Sequence, residues 1–194
     1  MRMRGRNLAE SVNESFKFAS SNETCIFLSH ISIDKSTVVH IGDYILDAGI
    51  NIYLDVNDAA LQRAVAVNDP IGITTCIEAG IEQCSHVMCL VSPNTVKSWW
   101  VPYEIGFSKK ARKSITTLFL KGIVEIPDYL KVSELLMGTE SLNHYLEKIM
   151  IPKLVKGVLL ENSVYSSSSQ QKEGYLIKES AQYHPLDDYL DWNK

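Results

Sequence analysis

The sequence predicts an α/β protein: an open parallel sheet of about five strands, in flavodoxin-like order, with helices on both faces. Three observations lead there. Strand-like and helix-like segments alternate about five times at short intervals, a pattern that calls for right-handed crossovers between parallel strands. His86-Val87-Met88-Cys89-Leu90-Val91 is a nearly continuous apolar run, as expected of a central parallel strand covered on both sides. The chain has 194 residues, 45% hydrophobic and 22% charged, which is the composition of a soluble globular domain. A domain of that size buries roughly 70% of its unfolded surface and needs no staples.

The elements follow in order. Residues 1–22 are mostly polar and read as an extension, with Leu8, Val12 and Phe16 offering at most a short helix. Cys25-Ile26-Phe27-Leu28 is too short for a helix and ends at Ser29-His30, so it is the first strand. From Asp34 to Ala48, Val38, Ile41, Ile45 and Leu46 share one helical face, closed by Gly49. Ile50, Ile52 and Leu54 alternate as a second strand ending at Asp55. Val56 to Gly72, broken by Asn68-Asp69-Pro70, reads mostly as a long loop. Ile73, Ile77, Ile81 and Cys84 form the next helical face, ahead of the central strand that Ser92-Pro93 stops. A helix runs from near Ser98 to about Arg112, then a strand from Ile115 to Leu120. Glu134 to Met137 is an edge strand, and Ser141 to Val158 a last helix interrupted near Pro152. The domain thus spans residues 23–158. Residues 159–194, with Ser166-Ser167-Ser168-Ser169-Gln170-Gln171, read as a flexible or docking tail, with Tyr189, Leu190 and Trp192 among acids as the residues that could dock.

Composition excludes several classes of function. Lys and Arg total 19 against 23 Asp and Glu, a net charge of −4, which argues against a nucleic-acid binder. No apolar run approaches the roughly 18 residues of a membrane span. Asn13, Glu14 and Ser15 stand where a signal peptide needs an apolar stretch, so a cytoplasmic location is expected. Cys25, Cys76, Cys84 and Cys89 contain no CxxC, and neither a zinc site nor a disulfide framework is expected. The histidines at 30, 40, 86, 144 and 184 are too scattered for a metal site. GxGxxG, GxxxxGK[ST] and GxSxG are absent. A phosphoacceptor domain needs acids at the end of its first strand, where this chain has Ser29-His30.

In an open parallel sheet, ligands sit outside the carboxyl ends of the strands, where strand order reverses. The loops converging there begin at Ser29-His30 and Ser92-Pro93, and the second leads into Trp99-Trp100-Val101-Pro102-Tyr103-Glu104. Trp100 and Glu104 are four apart and share a helix face. A flat ring beside a carboxylate suits a ligand with an aromatic base on a sugar, whose glycosidic bond breaks through an oxocarbenium-like state. The same spacing fits a core tryptophan and a solvated glutamate. Lys109-Lys110-Ala111-Arg112-Lys113 is the one dense basic run and suits the C-terminal end of that helix.

Four segments carry a family resemblance. Ile26-Phe27-Leu28-Ser29-His30 with Asp34 resembles the "(I/V)F(I/L)SH…D" opening of bacterial TIR (Toll/interleukin-1 receptor) domains. Ile50-Asn51-Ile52-Tyr53-Leu54-Asp55 resembles their second strand and the start of the BB loop. Cys76-Ile77-Glu78-Ala79-Gly80-Ile81 with Val87 to Ser92 is similar to their "I..gI..s…v.vlS" segment, and Trp100-Val101-Pro102-Tyr103-Glu104-Ile105 to "WV..E(I/L)". The resemblance spans Thr24 to Lys121, and more weakly reaches Gly157. The stretch after Asp55 lacks the usual short "…L..G" pattern.

The resemblance implies the TIR fold and cleavage of NAD at the nicotinamide–ribose bond. It makes Glu104 the catalytic carboxylate and Trp100 part of an aromatic wall. Ser29, His30, Asp55 and Tyr53 complete the substrate-binding set, with NAD as substrate and with no cofactor or metal. Water as acceptor gives ADP-ribose; a group of the ADP moiety gives a cyclic ADP-ribose isomer. Stand-alone bacterial TIR proteins resemble the signalling component of anti-phage systems such as Thoeris, which implies homo-oligomers through TIR–TIR contacts and a downstream effector reached through the cyclic product. Neither nucleic acid nor membrane is an expected partner. Two other readings stay open: a non-catalytic TIR interaction module, and a nucleoside ribosyl-transferase-like enzyme acting on free nucleosides.

Overall fold

The computed structural model describes residues 3–13, 23–123, 125–160 and 184–192. Five parallel strands form one sheet: β1 (Cys25–Ser29), β2 (Asn51–Tyr53), β3 (His86–Val91), β4 (Ser114–Phe119) and β5 (Glu134–Leu136), in the order β2-β1-β3-β4-β5. Five helices accompany them: α1 (Lys35–Asp47), α2 (Ala59–Ala66), α3 (Pro70–Gln83), α4 (Trp100–Lys110) and α5 (Thr139–Leu160). This is the expected α/β architecture, with the order reversal between β1 and β3.

Side chains alternating across the sheet feed two apolar layers. Ile26, Leu28, Met88 and Leu90 pack with Val38, Ile41 and Ile45 of α1 and with Leu142 and Leu146 of α5. Phe27, Cys89 and Tyr53 pack on the other side with Ile77 and Ile81 of α3 and Val101 and Ile105 of α4. Every residue of β1 and five of the six in β3 are buried, which accounts for their unbroken apolar sequence.

Two expectations need correction. Residues 56–72 are not a long loop. Asp58 accepts hydrogen bonds from the amides of Ala60 and Leu61 and so starts α2, which buries only Leu61 and Ala64. Asn68, at φ 52°, turns the chain, and Asp69 then caps Ile71 with Pro70 in the first turn of α3. Asn68-Asp69-Pro70 is therefore punctuation between two helices. Nor is α5 broken at Pro152, since the helix runs to Leu160.

Both flanking segments pack on the domain where they are described. Arg6 O accepts from Ile52 N, Asn7 bridges to Ile52, and the Asn7 side chain accepts from Leu54 N. The otherwise open edge of β2 is thereby paired. A Cβ on Gly5 would lie 2.1 Å from Ile50 O, so only glycine allows this approach. Residues 14–22 and the serine-rich 166–171 stretch lie outside the described residues.

At the other end, Leu186 and Leu190 are buried in the α1/α5 layer. The carbonyls of Tyr189 and Asp191 accept from Lys121 N and Thr139 N, so residues 184–192 tie the end of β4 to the start of α5. The Tyr44 hydroxyl donates to Asn143 Oδ1 at 2.6 Å and lies 3.2 Å from His184 Nε2, whose ring is also edge-on to Trp192. Because Leu190 is fully buried, we expect Leu190→Ala to cost about 2–4 kcal/mol in urea unfolding. A change within experimental error would show that the segment is not part of the cooperative unit.

Candidate active site

The candidate site lies at the carboxyl edge of the sheet. Ser29 is the last residue of β1, and its register partner is Cys89 of β3, so both side chains point to the face covered by α4. On α4 the buried positions are Val101, Glu104, Ile105 and Ser108. This is an ordinary helical core stripe with a carboxylate in the middle. Glu104 is 3% exposed and accepts a hydrogen bond from the Ser29 hydroxyl at 2.5 Å. Burial pushes its carboxyl up to about 8; the Ser29 hydrogen bond lowers it, and the negative field of Asp55 raises it further. At neutral pH Glu104 is therefore mostly protonated in the free protein.

The helix is built to carry it. The Ser98 hydroxyl accepts from Val101 N, Pro102 falls in the first turn where it leaves no donor unpaired, and the Ser108 hydroxyl donates to Glu104 O at 2.6 Å. Trp100 stands one turn before Glu104, 37% exposed, with its ring 6.0 Å from Tyr103 and edge-on. The Tyr103 hydroxyl in turn donates to Glu78 of α3. Trp99 is 92% exposed. Of the basic run, Lys113 donates to the carbonyls of Glu82 and Cys84 and so satisfies the C-terminal end of α3.

His30 follows Ser29 and is buried. Its Nδ1 lies 3.0 Å from Leu28 O; a carbonyl only accepts, so Nδ1 carries a proton and Nε2 is the free end. Nε2 lies 3.7 Å from Asp55 Oδ1, beyond hydrogen-bond length. That Oδ1 is buried and has no hydrogen-bond partner. Burial raises the Asp55 carboxyl, opposed by His30, the Val56 amide and Lys35. Asp55 itself lies in the turn after β2, as Asp55–Asn57, rather than in the strand.

Glu104, Ser29, His30 and Asp55 thus converge on one edge, whereas Tyr53 belongs to the core beneath. The Tyr53 ring stacks on Phe27 at 5.6 Å and lies against Gly80, and its hydroxyl donates to Asp58 at 2.5 Å. Burial, with Asp58, holds its phenol far above the usual range. Two further groups were not legible beforehand, and a third, Asp34, is part of the opening motif. Cys89 lies beside Ser29 and Glu104, and burial with the Glu104 field pushes its thiol up. Tyr129, from the turn before β5, is pushed up to about 12 by burial and by Cys89 and Glu104. Asp34 accepts from the Ser92 hydroxyl and from Asn94 Nδ2, which clamps the loop after β3 to the loop after β1. Strand alternation pairs Cys89 with Ser29 once the register is known; nothing local points to Tyr129. A cavity of about 300 Å³ lies elsewhere, between the N-terminal segment and α1, and does not include Glu104. Among the described residues, no three His, Cys, Asp or Glu side chains are grouped to hold a metal ion, and no helix is long and apolar enough to cross a membrane.

A carboxyl raised in the folded state stabilises the fold at low pH and loses that contribution as pH rises from about 4.5 to about 8. Glu104→Gln removes the titration while keeping an acceptor for Ser29. We expect the variant to gain on the wild type by on the order of 3 kcal/mol between pH 5 and pH 9, read from urea midpoints. A pH-independent difference would mean that Glu104 ionises normally.

Comparison with known proteins places this chain in a family. The TIR domain model matches residues 26–144, a stretch that contains Ser29, His30, Asp55, Trp100 and Glu104. A Bacillus cereus (strain MSX-D12) protein named as a probable 3' cyclic ADP-D-ribose synthase ThsB' is 27% identical over 94 residues, 48% of this chain and 47% of that protein. The matched part thus spans about half the length of that relative. Among solved structures, the TIR domain of the Toll-related receptor TRR-2 from Hydra magnipapillata is 16% identical, with a TM-score of 0.45, covering 69% of this chain and 94% of that one. With more than half of its length matched by the family model, the chain belongs to the TIR domain family.

Proposed function

We propose that this chain is a TIR enzyme that cleaves the nicotinamide–ribose bond of NAD and joins the freed ribose to another part of the same molecule, giving a cyclic ADP-ribose isomer. The observation that carries the reading is Glu104: a carboxyl buried in the core stripe of α4, held by Ser29, at the edge of the sheet where ligands bind in this topology. The relative named as a cyclic ADP-D-ribose synthase supports the choice of substrate and of product class. Use of that product as an antiviral signal, as in Thoeris-type systems, belongs to the same proposal.

The mechanism follows from the charges. Nicotinamide in NAD is a cation, and a cation brought beside Glu104 favours the carboxylate, so binding drives the proton off. The ionised Glu104 accepts hydrogen bonds from the ribose hydroxyls and stabilises the positive charge that grows on the anomeric carbon. The glycosidic bond breaks with its electron pair going to the ring nitrogen, and neutral nicotinamide leaves. A nucleophile of the ADP portion, or water, then bonds to the anomeric carbon and loses its proton. Ser29 positions the carboxylate throughout. Asp55 Oδ1, buried without a hydrogen-bond partner and 3.7 Å from His30 Nε2, suits a substrate group bearing N–H or O–H. Trp100, exposed on the first turn of α4, offers a ring face to the base. At 3% exposure Glu104 meets substrate only when the surrounding loops move or a second copy remodels them.

The test is mass spectrometry of NAD incubated with concentrated protein, beside Glu104→Gln. We expect nicotinamide with a product one water lighter than ADP-ribose, and a loss of roughly 10³-fold or more in the variant at unchanged folding. ADP-ribose alone would make the protein a hydrolase. NAD left intact by the wild type under crowded conditions would favour the non-catalytic interaction module, and equal rates in the two proteins would remove Glu104 from the mechanism.

A further inference from the structure

At the amino edge of the sheet, opposite Glu104, two thiols face each other. Cys25 opens β1, Cys84 follows the last turn of α3, and their sulfur atoms lie 3.0 Å apart. Both are free, at 1% and 2% exposure. Their backbones are fixed: Ser85 N donates to Cys25 O, and Cys25 N donates to the Ser85 hydroxyl, each at 3.1 Å. On the far side, the Lys113 ammonium donates to Cys84 O at 2.7 Å and to Glu82 O at 2.9 Å. The other two cysteines are placed differently, with Cys76 partly exposed on α3 and Cys89 beside Ser29 and Glu104.

We propose that Cys25 and Cys84 are an oxidation site, which a small two-electron oxidant such as a peroxide converts into an intramolecular disulfide joining the start of β1 to the end of α3. The sulfurs need to close by about 1 Å to reach bonding distance. With hydrogen peroxide, one sulfur attacks the O–O bond, which breaks to give a sulfenic acid and, with the thiol proton, water. The second sulfur attacks the sulfenic sulfur; the S–O bond breaks, the S–S bond forms, and the hydroxide leaves with the remaining thiol proton as water. Two thiols are oxidised by two electrons, and one peroxide is reduced to two waters. Burial pushes the Cys84 thiol up, the Cys25 hydrogen bond adds to this, and Lys113 opposes it. The reaction is accordingly slow and open to small oxidants only. The bond closes a span of 59 residues and restricts the unfolded chain.

The experiment uses the full chain, reduced, then treated with hydrogen peroxide or diamide in native buffer. Remaining thiols are alkylated in denaturant, and the peptides are mapped by mass spectrometry. The expected result is a monomer two hydrogens lighter, with the Cys25 and Cys84 peptides linked. Its Tm rises by roughly 5–10 °C and falls back with dithiothreitol. Cys76→Ser retains both effects; Cys25→Ala and Cys84→Ala each abolish them. The proposal is overturned if Cys25 and Cys84 both remain alkylatable while Cys76 is oxidised or links two chains. It is equally overturned if the bond forms only in denaturant.

Discussion

The hydrogen bond from Ser29 to Glu104 is the interaction on which the site depends. It joins the end of β1 to the middle of α4 in an apolar layer that includes Val101, Ile105, Val87 and Phe27. A carboxylate there without a partner is costly, so the group is either held neutral or matched by a cation. Under the proposed function both states have a use: the neutral form lets the core close around it in the free protein, and the ionised form is the one a cationic ring favours. With its carboxyl raised by burial, Glu104 weakens the fold at alkaline pH.

The rest of the structure holds that pair in place. Continuous apolar strands β1 and β3 set the height of Ser29 and Cys89, and α4 is aimed by the Ser98 cap and by packing on β3 and β4. Two peripheral segments then finish the domain. Residues 5–7 close the edge at β2, next to the turn that carries Asp55, and residues 184–192 close the α1/α5 layer. The second brings Tyr44, Asn143 and His184 into one buried polar group on the sheet face opposite Glu104. The carboxyl edge keeps an unsatisfied acceptor, Asp55 Oδ1, while the amino edge carries two thiols in contact.

Much of this was legible because it rests on periodicity. The first three strands, α1 and α3 follow from apolar spacing, and the strand order points to the crevice formed by the loops at Ser29-His30 and Ser92-Pro93 with Glu104; Asp55 joins them only through the family resemblance. The errors have physical causes. The short helix α2 buries two side chains only, too few for a visible stripe, and it is announced by Asp58, whose capping role is one of several a loop aspartate can have. Pro70 looks like a breaker but sits where a proline begins a helix. Tyr53 alternates correctly, yet its depth depends on Gly80 leaving room for its ring. The docking of Leu186 and Leu190 and the approach of Tyr129 to Glu104 are contacts distant in sequence, which no local pattern encodes.

The central claim is that a cationic substrate discharges a protonated, buried Glu104, and proton counting tests it most directly. Binding of carbocyclic NAD, which keeps the nicotinamide cation but cannot form the oxocarbenium ion, can be followed calorimetrically at pH 7 in buffers of different ionisation enthalpy. The account predicts release of close to one proton per site by the wild type and none by Glu104→Gln. Binding without proton release, or equal release by both proteins, would contradict it.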